Sequence, residues 1–425
     1  MAIIRPFRAL RPSSSNVDRV SAVPYDVVNT EEARALATGN PLSFLHVSRA
    51  EIDLPPATDP YSPAVYEKAL ENFTTLRRAA PLVVEDVPAV YFYRLNMGNH
   101  SQTGLAACYS IDEYDTDLIK KHEKTRRDKE DDRTRHIGTL RAQTGPVFLT
   151  YRHTAAIDAV AARVTAGAPL FDFESADKVR HTVWAVTGAD LEAVIKAYGE
   201  LPCLYIADGH HRAASASRTR KYLADRSPVR HAPLAQGDPE PVEGSPVSES
   251  DEANWMLAVA FPDNQTQILP YNRVVKDLAG KTPEAFLAEL KTRVSVVPGP
   301  PSPAKKGEVA MYLGGTWYTL GLEVAVGSTN VGSTLDCSLL QEQVLAPVLG
   351  IGDVRTDKRI DFVGGIRGTA ELEKLVNGGK AAVAFSLFPV GVDDLMRIAD
   401  AGEIMPPKST WFEPKLRDGL LSHLI

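Results

Sequence analysis

Five consecutive residues near the middle of the chain, Asp208-Gly209-His210-His211-Arg212, combine side chains that are suited to phosphate chemistry. They follow an apolar run over residues 201–207, which predicts a buried strand, and they precede residues 213–223, which predict a helix. The N-terminus of a helix offers backbone N–H groups and a partial positive charge, and both favour an anion. The spacing therefore predicts a phosphate-binding turn between a strand and a helix.

We call these five residues the 208–212 turn. Each of them could contribute to binding phosphate or a metal ion, or to catalysis. Gly209 permits close approach of the backbone, and Arg212 could place two parallel hydrogen bonds on phosphate oxygens. Asp208 could hold Mg²⁺ or a substrate ammonium group, His210 could contact phosphate, and His211 could take part in catalysis. The alternative is an Asp N-cap followed by surface side chains, which accounts for Asp208 but poorly for all five residues.

A single carboxylate lies among cations in the segment Lys121-His122-Glu123-Lys124-Thr125-Arg126-Arg127. Glu123 could act as a general base toward a hydroxyl group, with help from His122. Lys124 and Thr125 are candidates for further substrate contacts. Residues 118–136 are predicted to be mostly helical, so a solvated charged helix is the alternative interpretation.

Near the C-terminus, the segment Met405-Pro406-Pro407-Lys408-Ser409-Thr410 predicts a loop stiffened by its two prolines. Lys408, Ser409 and Thr410 are candidates for binding phosphate, and a surface turn is the alternative. Tyr25 and Asp26, which follow a proline, and Arg273 are weaker candidates for substrate contacts.

Composition restricts the class of protein. The chain has 425 residues, of which 44% are hydrophobic, so two or three packed units are expected. The net charge of −7 argues against a nucleic-acid partner, because the phosphate backbone requires a basic surface. The N-terminus lacks the apolar core of a signal peptide, and the most apolar stretch, residues 381–392, is too short to span a membrane. Three isolated cysteines, Cys108, Cys203 and Cys337, favour neither a zinc site nor disulfides, and a cytoplasmic location is expected.

The predicted strands and helices alternate irregularly, which favours an α+β fold. We expect an N-terminal part over residues 1–223, a disordered insertion over residues 224–253, and a C-terminal α+β part over residues 254–425 that completes the site. The insertion is predicted because residues 237–246 are rich in proline, glycine, serine and acidic residues.

The 208–212 turn resembles the Gly-x-x-Arg turn of the ParB/sulfiredoxin-like superfamily, where that turn opens a helix and binds nucleotide phosphates. Apart from the insertion, nearly the whole chain looks like a large bacterial family of uncharacterised proteins with four motifs in a fixed order. Those motifs stand here at Pro24-Tyr25-Asp26-Val27, His122-Glu123-Lys124-Thr125, Asp208-Gly209-His210-His211-Arg212 and Met405-Pro406-Pro407-Lys408-Ser409-Thr410.

The characterised relatives of that family are free-serine kinases, which phosphorylate L-serine with ADP or ATP. The resemblance implies a ParB/sulfiredoxin-like core with additional α/β units, and a phosphotransferase that uses Mg²⁺, a nucleotide and a small hydroxyl-bearing acceptor. It places Asp208, His211 and Arg212 in the site, and it implies a glutamate base nearer the N-terminus, for which Glu123 is the candidate. A nucleotide hydrolase or phosphatase, and a non-catalytic nucleotide-binding regulator of the ParB type, remain alternatives.

Overall fold

A computed structural model describes residues 2–80, 82–225, 249–324 and 330–425. The strands are β1 (Ile4–Arg5), β2 (Leu10–Arg11), β3 (Val83–Val84), β4 (Val90–Met97), β5 (His100–Ser110), β6 (Ile119–Lys120), β7 (Ala142–Gln143), β8 (Val147–Tyr151), β9 (Phe171–Glu174), β10 (Val179–Val186), β11 (Leu204–Asp208), β12 (Trp255–Pro262), β13 (Ile268–Leu269), β14 (Tyr271–Val275), β15 (Ser295–Pro298), β16 (Glu308–Leu313), β17 (Thr316–Gly321), β18 (Ile360–Gly364), β19 (Val383–Leu387), β20 (Trp411–Phe412) and β21 (His423–Leu424).

The helices are α1 (Val17–Val20), α2 (Thr30–Ala37), α3 (Leu45–Ser48), α4 (Pro63–Ala79), α5 (Ile111–Asp115), α6 (Arg127–Leu140), α7 (Ala155–Thr165), α8 (Gly188–Gly199), α9 (His210–Asp225), α10 (Glu249–Glu252), α11 (Pro283–Leu290), α12 (Asp336–Leu340), α13 (Ala346–Leu349), α14 (Gly368–Asn377) and α15 (Val392–Asp400). Strands and helices follow one another irregularly along the chain. The predicted α+β class is confirmed at this level, whereas the ParB/sulfiredoxin-like core stays a prediction.

The chain divides into two units. The first contains Met1–Lys120, Lys124–Gln265 and Pro414–Ile425, and the second contains Lys121–Glu123 and Thr266–Glu413. The predicted boundary near residue 254 differs from this division, because β12 pairs with β5 and β8 inside the sheet of the first unit.

The main sheet of the first unit has the strand order β6-β11-β8-β12-β5-β4-β10-β9, with β1 also pairing with β5. Its core combines apolar side chains of the central strands with those of α7, α8 and α9, including Phe92, Leu105, Ile206, Tyr198 and Ala213. A second core joins the N-terminal helices α2, α3 and α4 to the end of α6. The end of β11 and the start of α9 are therefore both fixed by the packing of this core.

The last residues of the chain return to the first unit. The strand β21 pairs with β7, and Ser422 exchanges backbone hydrogen bonds with Leu10. The backbone of Asp418 pairs in the same way with Ala22. Pro414–Ile425 thus completes a unit whose other residues come from the first 265 positions.

The sheet of the second unit has the order β15-β17-β16-β19-β14-β18. Its apolar face, which includes Val274, Tyr312 and Ala384, packs against Leu372 of α14. The short strands β13 and β20 pair beside it and bring the segment before β20 close to β14. This arrangement positions the loop that contains Lys408.

Two expectations about the chain between the motifs change. Residues 118–136 are not one helix, since β6 pairs in parallel with β11 and α6 begins only at Arg127. The bounds predicted for the insertion, residues 224–253, overlap described elements at both ends, since α9 extends to Asp225, α10 covers Glu249–Glu252 and Ala253 is buried. Residues 237–246 lie outside the described residues. Within the part of the chain that the structure describes, no helix has the length and apolar character needed to cross a membrane.

Candidate functional site

The 208–212 turn joins β11 to α9, as predicted. The pairing of β11 with β8 shifts register between Ile206 and Asp208, and such irregularities often redirect side chains next to functional sites. Gly209 has a φ of +92°, a conformation that disfavours side chains, and its carbonyl accepts the first helical hydrogen bond from Ala213. The N-terminal end of α9 therefore opens directly beside Asp208.

The carboxylate of Asp208 is held by two partners inside the first unit. One oxygen accepts a hydrogen bond of 2.8 Å from the backbone N–H of Gly209, and the other lies 2.8 Å from the Nζ of Lys415. Burial alone would raise the pKa of this carboxyl, but the positive charges of Lys415 and Arg212 outweigh burial and hold the pKa well below its usual value. Asp208 is therefore ionised, and a cation that sequence reasoning missed lies at the turn.

The two histidines of the turn differ in exposure. His210 is 5% exposed, whereas His211 is half-buried and its Nε2 accepts a hydrogen bond of 3.0 Å from the backbone N–H of Arg126. Burial lowers the pKa of His211, and the nearby carboxylates of Asp26 and Glu130 only partly oppose this. The imidazole of His211 is therefore neutral at physiological pH.

Arg212 does not extend from the surface of the turn. It is 9% exposed, and it donates hydrogen bonds to the carbonyl of Pro146 at 3.0 Å and to Asp26 at 2.8 Å. Its guanidinium also lies 5.5 Å from the ring centre of Tyr25. Arg212 is therefore buried and already paired inside the first unit, and its predicted contact with phosphate stays a prediction.

Tyr25 and Asp26 lie beside the turn, so the structure brings these two sequence motifs together. The ring of Tyr25 is buried between guanidinium groups, with the Arg133 carbon Cζ 4.0 Å from its centre. The side chain of Asp26 is 39% exposed and is oriented by its ion pair with Arg212. Two carboxylates, Asp26 and Asp208, are each held by a cation in this region.

A third carboxylate, Asp418, lies behind the turn and was not found from the sequence. It is 2% exposed and accepts a hydrogen bond from the backbone N–H of Tyr25. Burial raises its pKa to about 6, and the positive charges of Arg212 and Arg133 only partly reverse this effect. The C-terminal segment therefore supplies both Lys415 and Asp418, and no local pattern in the sequence distinguishes them.

The segment 122–125 lies in a loop between β6 and α6, and it crosses from one unit to the other. In the first unit, Lys124 is exposed and the hydroxyl of Thr125 donates to Glu130. In the second unit, His122 is 2% exposed and its carbonyl accepts a 2.8 Å hydrogen bond from the backbone N–H of Met405, while Glu123 is half-buried. Glu123 and the 208–212 turn belong to different units, and their predicted convergence stays a prediction.

The remaining candidates form a cluster in the second unit. Arg273 is 2% exposed, and it donates to the carbonyl of Tyr271 at 2.7 Å and to that of Lys408 at 3.5 Å. Lys408 is exposed, has a φ of +59°, and places its ammonium 5.4 Å from the ring centre of Tyr271. A non-glycine residue in this conformation stores backbone strain, which is found often at functional sites.

The hydroxyl groups of the same loop differ in their availability. Ser409 is buried, donates to the carbonyl of Pro406 at 2.6 Å and lies 3.2 Å from the Sγ of Cys337, so its hydroxyl holds the loop together. Thr410 is half-buried.

Burial lowers the pKa of Arg273, which indicates that the groups around it do not fully compensate its positive charge. An anion beside Arg273 and Lys408 would supply that compensation.

A comparison with protein-family models decides the family. Residues 4–338, more than half of the chain, match the model described as "Protein of unknown function (DUF1015)". The chain belongs to this family. No curated protein matches the chain in a sequence search.

Solved structures that match the chain do so at low identity. A free serine kinase variant in complex with AMP is 13% identical, with 72% of this chain and 87% of that chain covered and a TM-score of 0.35. SbnI with a C-terminal truncation, from Staphylococcus aureus, is 11% identical, with 74% and 85% covered and a TM-score of 0.36. A conserved hypothetical protein from Pyrococcus furiosus is 15% identical, with 74% and 93% covered and a TM-score of 0.34. These similarities are too low to carry an argument about function.

Proposed function

We propose that this member of the DUF1015 family is a small-molecule kinase that transfers a phosphoryl group from ATP or ADP to the hydroxyl of L-serine or a similar acceptor. One observation carries the proposal. An ionised carboxylate, Asp208, and a fixed ammonium, Lys415, lie together where a glycine turn opens the N-terminal end of a long helix. Helix N-termini and fixed cations both stabilise phosphate groups.

Phosphoryl transfer requires positioning and charge neutralisation more than covalent chemistry. Lys415, His210 and the backbone after Gly209 would neutralise phosphate oxygens. Asp208 would hold Mg²⁺, and the neighbouring carboxylate of Asp26 is a further oxygen ligand of the type that Mg²⁺ prefers. Mg²⁺ held there would supply positive charge that offsets the negative charge of the phosphate groups.

The other predicted residues have separate roles in this proposal. Arg212 would orient Asp26, and His211, as a neutral imidazole, would accept or relay a proton. Glu123 would take the proton of the acceptor hydroxyl. Lys408 and Arg273 would bind an anionic group of either substrate, whereas Ser409 would hold the loop in shape.

Two measurements test the proposal. Titration calorimetry with ADP and ATP, each with and without Mg²⁺, tests binding by the full chain. Incubation with ATP or ADP labelled on its terminal phosphate, with L-serine, L-threonine or glycerol as acceptor, tests transfer. Release of inorganic phosphate without an acceptor would instead show a hydrolase or phosphatase. Binding without turnover would show a nucleotide-binding regulator, and an absence of nucleotide binding would contradict all three.

A further inference from the structure

The carboxylate of Asp418 is enclosed by the elements that form the 208–212 turn and the Tyr25 segment. The charged groups that act on it are Arg212 of α9, Arg133 of α6 and Asp26 of the loop before α2. The ring of Tyr25 and the imidazole of His136 are among the other groups that line the space beside Asp418, and the backbone N–H of Tyr25 donates a hydrogen bond to it. Burial lowers the pKa of His136 to about 4, so this imidazole is neutral and adds no charge at neutral pH.

The side chains around Asp418 line a cavity of about 30 Å³, which is room for one or two water molecules. Three polar atoms of its lining, Asp418 Oδ1, Ser48 Oγ and Arg212 Nε, are buried and have no hydrogen-bond partner among the described residues. The space is held open by Gly145, since a Cβ at that position would lie 2.4 Å from Asp418 Oδ1. The fold therefore keeps room for a carboxylate that an apolar side chain could have filled.

An ionised carboxylate in this position destabilises the fold. Burial raises the pKa of Asp418 to about 6, above the ordinary value of an aspartate, so the folded protein binds this proton more tightly than the unfolded chain. Stability therefore falls as the pH rises from about 4 to 6, and above that window the carboxylate is ionised at an energetic cost. Residues that reduce stability in this way are found where function requires them.

We propose that Asp418 is a positioning residue, whose buried negative charge holds Arg212 and Tyr25, and through Arg212 also Asp26, in the arrangement that the 208–212 turn needs to bind an anionic ligand. The ligand part of this inference rests on the proposed function. The positioning part does not, since it concerns the arrangement of the free protein.

Asp418→Asn removes the charge and keeps the size of the side chain. Its matched control is Glu113→Gln in the same unit, because Glu113 is 4% exposed and has a pKa that burial raises. One oxygen of Glu113 accepts from the backbone N–H of Ile3, and the other has no partner among the described residues. Glu113 therefore shares with Asp418 its burial, its raised pKa and one oxygen without a partner among the described residues, but lies away from Arg212 and Arg133.

Three measurements on the full chain separate positioning from plain structural support. Thermal melts at pH 7.5 should show both variants at or above the Tm of the wild type, with the difference shrinking toward pH 4. Amide hydrogen exchange without ligand should become at least threefold faster over residues 22–27 and 209–214 in Asp418→Asn and stay unchanged there in Glu113→Gln. Calorimetry with ADP should show at least a tenfold weaker Kd for Asp418→Asn only.

A lower Tm of Asp418→Asn at pH 7.5 would overturn the inference, because Asp418 would then be an ordinary stabilising residue. Unchanged exchange over both segments would overturn it as well. If the wild type does not bind ADP, the proposed function fails, while the melts and the exchange still decide whether Asp418 positions Arg212 and Tyr25.

Discussion

The ammonium of Lys415 lies 2.8 Å from the carboxylate of Asp208, although the two residues are 207 positions apart in the chain. The side chain of Lys415 is 15% exposed and that of Asp208 is 35% exposed, so the pair is protected from solvent on one side and open on the other. An incoming phosphate would therefore meet a cation that is already fixed in place.

Lys415→Met should weaken ADP binding about tenfold to a hundredfold, since a hydrogen bond to a charged group contributes about 1.5–3 kcal/mol. The pKa of Asp208 should rise at the same time, because the main charge that lowers it is lost. Calorimetry and a ¹³C-carboxyl NMR titration measure the two effects. Lys178→Met, which removes an exposed ion pair with Glu174, is the control and should change neither. Unaltered ADP affinity in Lys415→Met would remove Lys415 from the site.

Glu123→Gln should lower kcat by about 10²–10⁴-fold and leave nucleotide affinity nearly unchanged, as expected for the loss of a general base. The labelled-phosphate assay measures the rate, and calorimetry measures the affinity. Glu192→Gln, on an exposed position of α8, is the control for loss of a surface carboxylate. A decrease smaller than tenfold would show that Glu123 is not the base.

His211→Gln should flatten the dependence of stability on pH between 7.5 and 5.5. Because burial lowers the pKa of His211, the unfolded chain protonates first as the pH falls. Its contribution is therefore present above the unfolded pKa of about 6.5 and is lost below it. Urea denaturation at three pH values measures the slope.

His46→Gln is a control of opposite sign for that experiment. The hydrogen bond that His46 Nδ1 donates to the carboxylate of Asp53 raises the pKa of His46, so its contribution is present at low pH and is lost as the pH rises. Its removal should make the slope steeper. Equal slopes in the wild type and His211→Gln would contradict the lowered pKa of His211.

Gly145→Ala should destabilise the first unit by about 1–3 kcal/mol, the usual cost of overpacking a buried site. The added Cβ would meet Asp418 Oδ1, and Asp418 is fixed by its backbone pairing with Ala22. Gly199→Ala is the control, because a Cβ at this position would have no atom within 4 Å apart from its chain neighbours and the backbone of α8 itself. Its stability should stay the same or increase slightly. Equal melting temperatures of both variants would show that Asp418 can move aside.

The sequence predicts the local part of the site and misses the part that depends on distant contacts. An apolar run, a glycine and a helix-forming run define the turn between β11 and α9 because these signals lie within about twenty residues of one another. The environment of Arg212 depends on Pro146, Asp26 and Asp418, which lie far from it in sequence. The residues next to Arg212 in the sequence therefore do not indicate whether its side chain is buried by these distant partners.

The segment before α6 contains a strand that the sequence does not predict. Its charged residues favour a helix, yet Ile119 and Lys120 form a strand because β11 offers a free edge for parallel pairing. Two residues are too few for an alternating pattern to be recognised. The same applies to β21, which brings the C-terminus against β7.

The return of Pro414–Ile425 to the first unit also sets a time at which the site can form. During translation, the ribosome releases the N-terminal regions first, and domains begin to fold as they emerge. Lys415 follows Asp208 by 207 positions, so a nascent chain carries Asp208, Arg212 and Arg133 for a long part of its synthesis before their partners Lys415 and Asp418 have been made. The proposed site can therefore be completed only after synthesis has passed Asp418, and a chain that stops before Lys415 would lack it.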